Sequence, residues 1–270
     1  MKSLLLIFLL PTFYLAMAQE NSEVWDTYMA SYEDGKPGSV TLRMDLIHST
    51  PMRSHSNILI TGIEYTTSRE DGFPESETFQ VLHKVEDELL DIVTSEYGGI
   101  LVGSFMYNSE RLQYFYIKSP NGLEERLEKF YKENYPANKH YINIKEDPIW
   151  EYYREFLYPN EETLNYMGDQ SVIRQLMQAG DNLPKERRVD HWLYFESEKD
   201  LNDFAAQIKS KNFTIESKSI NIEASPHHQL QIWRTDKVDI DTIYLITSEL
   251  RRLASEHNGV YDGWETFVIK

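Results

Sequence analysis

The sequence contains no cysteine. This absence excludes disulfide bonds, thiolate nucleophiles and zinc sites with thiolate ligands, because each of them needs a cysteine sulfur. Motifs of several enzyme classes are also missing: there is no G-x-S-x-G nucleophile elbow, no glycine-rich phosphate-binding loop and no dinucleotide-binding fingerprint. The sequence therefore predicts no catalytic, cofactor-binding or metal-binding residue.

Basic residues are scarce compared with acidic ones: 27 Lys and Arg stand against 44 Asp and Glu, which gives a formal net charge of −17. The densest basic clusters are residues 185–188 and 251–252. Such an excess of negative charge repels nucleic-acid phosphates, whose binding proteins normally present a basic face. The sequence thus predicts no nucleic-acid partner, and we interpret the acidity mainly as a contribution to solubility.

Long apolar runs are missing except at the start of the chain. There, Lys2 precedes an apolar run from Leu4 to Leu15, and the small residues Ala16 and Ala18 follow. This pattern is typical of a signal peptide, and the run is shorter than the roughly 20 residues that a membrane-spanning helix needs. We expect export to the periplasm or exterior of a bacterial cell, with cleavage after Ala18 and no integral membrane segment afterwards. An uncleaved membrane anchor is the alternative.

With 270 residues, 41% of them hydrophobic, the chain is long enough for two globular domains. We expect a signal peptide over residues 1–18, an N-terminal domain over 19–158 and a C-terminal domain over 169–270. Between the domains, residues 159–168 are predicted to form a packed connection. The surrounding stretch, residues 147–169, is too rich in aromatic side chains for a free linker.

The N-terminal domain is predicted to begin with a β-hairpin, formed by strands Trp25–Tyr32 and Val40–Leu46 around a Gly/Pro turn. From Asn57 onwards, the periodicity predicts the order strand, helix, strand, strand, helix, strand. A bulge is expected near Gly62 in the first of these strands. This order is the split βαβ pattern of a ferredoxin-like sandwich.

The C-terminal domain repeats the same order. Large side chains on both faces of Val189–Phe195 predict a central strand. Ser197 and Asp239 are expected to cap the two helices, and Gly259 to follow the second helix in the left-handed conformation. The predicted fold class is therefore α+β, with two tandem ferredoxin-like (βαββαβ) sandwiches, the first with an added N-terminal β-hairpin.

Two runs of the C-terminal domain are distinctive: RVDHWLYF at residues 188–195 and YDGW at 261–264. Through them, the chain from about Asp169 to its end resembles the regulator of ribonuclease E activity B family, whose members are small acidic proteins that bind another protein and are not enzymes. The resemblance implies a protein-binding module. The ribonuclease itself is cytoplasmic, so we do not expect it to be the partner of an exported chain.

The N-terminal domain carries DGFP at residues 71–74, a glycine-containing strand at 99–103 and an Asp-to-Tyr run at 147–152. Through these segments it resembles the domain of unknown function 695 family. That resemblance implies no activity.

The YDGW run and its expected neighbour strand predict an interaction surface. Gly263 leaves a gap between large side chains, which either admits a group of a partner or eases the twist of the sheet. We also expect His191 to form a structural hydrogen bond with Asp262 and not to act in catalysis. The candidate surface residues are His191, Trp192, Tyr261, Asp262, Gly263 and Trp264.

We expect an exported, non-enzymatic interaction or regulatory module that presents sheet faces or edges to an unknown protein partner and uses no cofactor. One alternative is a hydrolase in which carboxylates and a histidine, His191 or His140, meet at the domain junction. Another is carbohydrate or peptide binding by the aromatic residues from Trp150 to Tyr166, which requires those rings to be exposed.

Overall fold

The computed structural model describes residues 23–32, 34–220 and 225–270. The predicted signal peptide lies outside these residues. The chain divides after Tyr158 into two compact units. Each unit combines helices with one β-sheet, which confirms the α+β class. In the part of the chain that the structure describes, no helix is both long enough and apolar enough to cross a membrane.

The first unit is built on a six-stranded sheet in which every pair of neighbours is antiparallel. Its strands are β1 (Trp25–Ser31), β2 (Pro37–Arg43), β3 (Asn57–Glu64), β4 (Ile100–Tyr107), β5 (Glu110–Ile117) and β6 (His140–Glu146). They lie in the order β1-β2-β4-β5-β3-β6. The hairpin of β1 and β2 therefore extends the sheet beside β4.

Both faces of this sheet are covered. On one face, the helices α1 (Ser76–Asp91) and α2 (Leu123–Asn134) bury a core around Leu59 and Phe115. A π-helical turn prolongs α1 through Glu96. On the other face, the 3₁₀ turn Asp45–His48 and the π-helical segment Tyr152–Leu157 pack on a second core.

The aromatic segment after β6 belongs to that second core. Trp150 is fully buried, stacks on Tyr116 with ring centroids 3.8 Å apart, and donates its indole N–H to the carbonyl of His55 at 2.8 Å. Asp147 accepts hydrogen bonds from the Tyr116 hydroxyl and, at 2.8 Å, from the backbone N–H of Glu151. These contacts fix the chain against the sheet just before the first unit ends.

Gly62 does not mark a bulge, and this detail of the sequence interpretation is wrong. The pairing of β3 with β5 runs without a register shift from Asn57 to Glu64. A Cβ atom at Gly62 would lie 2.0 Å from the carbonyl oxygen of Arg111. Glycine is needed here because the neighbouring strand approaches so closely.

The second unit is built on a four-stranded antiparallel sheet in the order β10-β7-β9-β8. Here β7 is Arg187–Phe195, β8 is Thr214–Ile220, β9 is His228–Asp236 and β10 is Gly259–Glu265. The helices are α3 (Glu161–Gln178), α4 (Glu198–Ile208) and α5 (Ile240–Glu256). The sequence correctly predicts β7 as a central strand.

All three helices bury their apolar sides against the same face of this sheet. α4 and α5 pack on Leu193 and Leu230, and α3 packs beside α5 on Val189 and Trp264. Most of the stretch that the sequence analysis assigned to a connection, residues 159–168, lies within α3. Within the described residues of the unit, no helix covers the opposite face of the sheet.

The predicted helix caps are confirmed, with one shift at the end of α5. The side chains of Ser197 and Asp239 accept hydrogen bonds from the backbone N–H groups three residues later. The left-handed residue after α5 is Asn258, with φ of 51°, and not Gly259. Gly259 is required for another reason: a Cβ atom there would lie 2.5 Å from the ring of Phe195.

Candidate functional site

The structure places the six predicted surface residues on the neighbouring strands β7 and β10, but on different faces. His191, Tyr261 and Trp264 are buried on the helix-covered face. Their side chains belong to the core and do not form a surface. Asp262 is exposed, and Trp192 and Gly263 are half-buried.

A bulge in β10 explains this arrangement. Tyr261 pairs with Leu193 and Gly263 pairs with Trp192, so Asp262 is an extra residue without an opposite partner. Strict alternation would send Tyr261 and Trp264 to opposite faces. The bulge resets the alternation, and both rings therefore enter the core. Space around Gly263 is open, because a Cβ atom there would meet no atom within 4 Å.

The hydrogen bond predicted between His191 and Asp262 is replaced by one between His191 and Tyr261. His191 Nδ1 lies 2.9 Å from the Tyr261 hydroxyl, and its Nε2 is buried without a partner among the described residues. Burial and, to a smaller extent, the nearby charge of Arg234 lower the pKa of His191 to about 3. His191 is therefore neutral at physiological pH and has no carboxylate partner of the kind that the hydrolase alternative requires. In the first unit, His140 Nε2 lies 3.4 Å from Glu128 on a partly exposed surface.

We expect His191 to make the stability of the second unit depend on pH. The unfolded chain takes up a proton near pH 6.5, whereas the folded chain does so only near pH 3, so stability falls as the pH decreases between these values. Lowering the pH from 7.5 to 5 should cost about 2 kcal/mol through this group. His191→Gln should remove this part of the pH dependence of urea denaturation. His227→Gln, at an exposed position of the same unit, should leave it unchanged, and an equal effect of both variants would contradict the assignment.

Trp264 anchors a buried carboxylate that the sequence analysis missed. Asp169 of α3 accepts a hydrogen bond from Trp264 Nε1 at 2.9 Å and one from the hydroxyl of Thr247 at 2.6 Å. Arg251 lies 3.5 Å from the same carboxylate and stacks on the ring of Tyr261 at 4.8 Å. This network joins α3, α5 and β10, and it gives the end of the YDGW run a structural role.

The uncovered face of the second sheet presents a different set of side chains, here called the open face. They alternate with the core residues of β7 and β9, and the two strands place Asp190 opposite Trp233, and Trp192 opposite Gln231. The open face consists of Arg188, Asp190, Trp192, Tyr194, Gln229, Gln231 and Trp233.

Contacts within the open face hold these side chains in place. Arg188 binds Asp190 through two hydrogen bonds of 2.7 and 2.8 Å, and its guanidinium lies 4.7 Å from the ring of Trp233. Gln231 donates to Asp190 at 3.1 Å. The indole N–H of Trp233 is buried and meets no acceptor in the described ranges. The face is thus largely preorganised and keeps one unused donor.

The aromatic segment from Trp150 to Tyr166 is only partly exposed. The rings of Trp150 and Tyr153 are fully buried and are not available to bind a carbohydrate or a peptide, whereas Phe156 is 41% exposed. Across residues 23–32, 34–220 and 225–270, no group of three or more His, Asp or Glu side chains is arranged to hold a metal ion. The open face is therefore the strongest candidate for a protein-binding site.

Comparison with known families assigns both halves of the chain. The model of the "Family of unknown function (DUF695)" matches residues 23–158, and the model of "Regulator of ribonuclease activity B" matches residues 167–266. These matches confirm the two resemblances predicted from the sequence. The second match includes the entire open face. No curated protein matches the chain.

Proposed function

Because the chain belongs to the family of unknown function DUF695 and its second unit matches a family of regulators, we propose that it is an exported, non-enzymatic module that binds and regulates a protein partner. The open face of the second unit is the observation that carries this proposal. Trp, Tyr and Arg dominate the energetics of protein interfaces, and this face combines all three. Its preorganised contacts would reduce the entropy lost on binding.

We further propose that each unit contains a ferredoxin-like sandwich. In both units, the first and third strands of the βαββαβ order lie at the centre and the second and fourth flank them, with all neighbours antiparallel. Such a sandwich has helices on only one face of its sheet. In the first unit the segment 147–158 packs on the other face, whereas the described residues of the second unit leave it without a helix. This difference favours the second unit as the binding unit.

Export is proposed from the N-terminal sequence alone. The lysine, the apolar run and the small residues before Gln19 support a cleaved signal peptide. Mass spectrometry of the native protein should give the mass of a chain that begins at Gln19. A mass that includes Met1 would contradict export by cleavage.

Site-directed photo-crosslinking tests the open face. A photoreactive amino acid at Gln231, on the open face, should crosslink one protein of the envelope fraction, whereas the same group at Lys199, on the surface of α4, should not. An excess of unlabelled chain should abolish the crosslink. Trp192→Ala should compete about 30-fold less well, because a central interface Trp contributes about 2 kcal/mol or more to binding.

Trp25→Ala is the matched control, since it removes an exposed Trp from the first unit. It should compete as well as the unchanged chain. Equal crosslinking from positions 231 and 199, or equal competition by both Trp variants, would contradict a partner site on the open face. Circular dichroism of each variant verifies that it is folded.

A further inference from the structure

The first unit contains a cavity for which the proposed function has no role. Its volume is about 410 Å³, and it lies between α1 and the strands β1, β2, β4 and β5. Phe79 and His83 of α1 line one side, and Ser104 and Arg111 of the sheet line the other. This volume is within the range of small-molecule binding sites in proteins.

The lining of this cavity differs from the rest of an acidic chain. It combines three basic side chains, three hydroxyl groups and five apolar or aromatic side chains. No Asp or Glu of the described residues lines it, although acidic residues outnumber basic ones by 44 to 27 in the sequence. The polar side chains of the lining are Ser39, Thr41, Arg69, His83, Ser104 and Arg111.

Arg111 gives the cavity a buried cation. Its side chain is only 9% exposed and forms an ion pair with Glu86 of α1. Its Nε–H is buried and has no acceptor in the described structure. Unsatisfied buried polar groups are rare, so this unused donor on a lining residue indicates a ligand that supplies a hydrogen-bond acceptor.

The loop that borders the cavity is fixed in place. Gly72 adopts a φ of 76°, and its carbonyl accepts hydrogen bonds from the Tyr65 hydroxyl at 2.9 Å and from the backbone N–H of Ser109 at 3.2 Å. The hydroxyl of Thr67 donates to the carbonyl of Phe73 at 2.7 Å. Phe73, within the DGFP run, is therefore held at the wall of the cavity.

We propose that this cavity binds a small organic carboxylate with an apolar or aromatic body. The Nε–H of Arg111, which the ion pair with Glu86 leaves unused, suits a carboxylate oxygen, and the neighbouring hydroxyl groups can donate as well. The apolar body packs between Phe73 and Phe79. Since the site uses residues of the first unit alone, it is independent of the protein-binding site proposed on the second.

Calorimetric titration of the full chain with phenylacetate and with phenylacetamide tests this proposal, because the two probes have nearly the same shape but differ in charge. Phenylacetate should bind at least about tenfold more tightly, since hydrogen bonds between charged groups are stronger than neutral ones. Ser39→Phe should abolish binding, because its ring would occupy the cavity. The double variant Arg111→Gln/Glu86→Gln removes both charges together and should lose the preference for phenylacetate.

Arg126→Gln serves as the control, since Arg126 pairs with Glu96 on an exposed surface and does not line the cavity. It should bind phenylacetate like the unchanged chain. Equal affinity for both probes, or a preference that survives in the double variant, would overturn the assignment of a carboxylate ligand. Failure of the unchanged chain to bind phenylacetate, hexanoate and succinate alike would overturn the site itself. If the double variant does not fold, the comparison of Ser39→Phe with Arg126→Gln still decides whether the cavity binds the probe.

Discussion

Arg187→Met is expected to lower the free energy of unfolding of the second unit by about 3–5 kcal/mol, the usual cost of removing one partner from a buried ion pair. Arg187 and Asp181 are both fully buried, and Nη1 of the arginine lies 2.5 Å from Oδ2 of the carboxylate. One oxygen of Asp181 already lacks a partner among the described residues. The substitution would leave the whole carboxylate buried without a counter-charge.

The same pair also holds the end of the chain. Arg187 donates to the carbonyl oxygens of Asn182 at 2.6 Å and Phe267 at 3.2 Å, and Asp181 accepts from the backbone N–H of Ile269 at 2.7 Å. The segment after β10 is thus attached to the start of β7 through charged hydrogen bonds. Its detachment should add to the cost of the substitution.

Urea denaturation followed by tryptophan fluorescence measures this effect, since Trp192, Trp233 and Trp264 report on the second unit. Arg188→Met is the control, because its exposed ion pairs should contribute at most about 1 kcal/mol. The double variant Asp181→Leu/Arg187→Met should be more stable than the sum of the single changes, since it leaves no buried charge. A loss for Arg187→Met no larger than that for Arg188→Met would contradict the assignment.

Asp181 and His191 should affect stability in different pH ranges. The hydrogen bond from Arg187 holds the pKa of Asp181 below its usual value. A carboxylate with a lowered pKa stabilises the fold above its unfolded pKa of about 3.9, and this contribution disappears as the pH falls through the folded value. The contribution of His191 changes earlier, as the pH falls below about 6.5. A decrease in the free energy of unfolding near pH 6 therefore reports the contribution of His191. A decrease below pH 4 also includes the loss of the contribution of Asp181.

The α+β class and the order of the strands with helices α1, α2, α4 and α5 could be predicted because they follow from local periodicity, whereas helix α3 was missed. Alternation identified β7, and the helical stripes and caps identified α4 and α5. The faces of β10 could not be predicted in the same way. One extra residue, Asp262, reverses the alternation, and its effect is visible only in the pairing with β7.

The buried charges were missed for a related reason. Asp169 falls on the apolar stripe of α3 with Ile173 and Leu176, and a carboxylate at such a position indicates a buried partner. That partner, Trp264, is 95 residues away, and no local pattern connects the two. Arg111 similarly alternates with the core side chains of β5, but the cavity beside it forms only when four strands and a helix meet.

Trp150→Ala should destabilise the first unit by about 3–5 kcal/mol, the range for truncating a large buried aromatic residue. The ring is fully buried and lies nearly parallel to that of Tyr116, with 4° between the ring planes. Truncation would leave a cavity against Tyr116 and would deprive the carbonyl of His55 of its donor. Circular dichroism during urea denaturation measures the change.

A series at adjacent positions separates the contributions of this ring. Ile149→Ala removes a side chain that is 61% exposed and should change stability by less than about 0.5 kcal/mol. Trp150→Phe keeps part of the stack but cannot donate to His55, so its cost should lie between those of the other two variants. Trp150 has a φ of 62°, which is costly for a bulky residue, and only the packing of its ring in this core offsets that cost. If Trp150→Ala were no more destabilising than Ile149→Ala, the segment after β6 could not be what holds the second core of the first unit together.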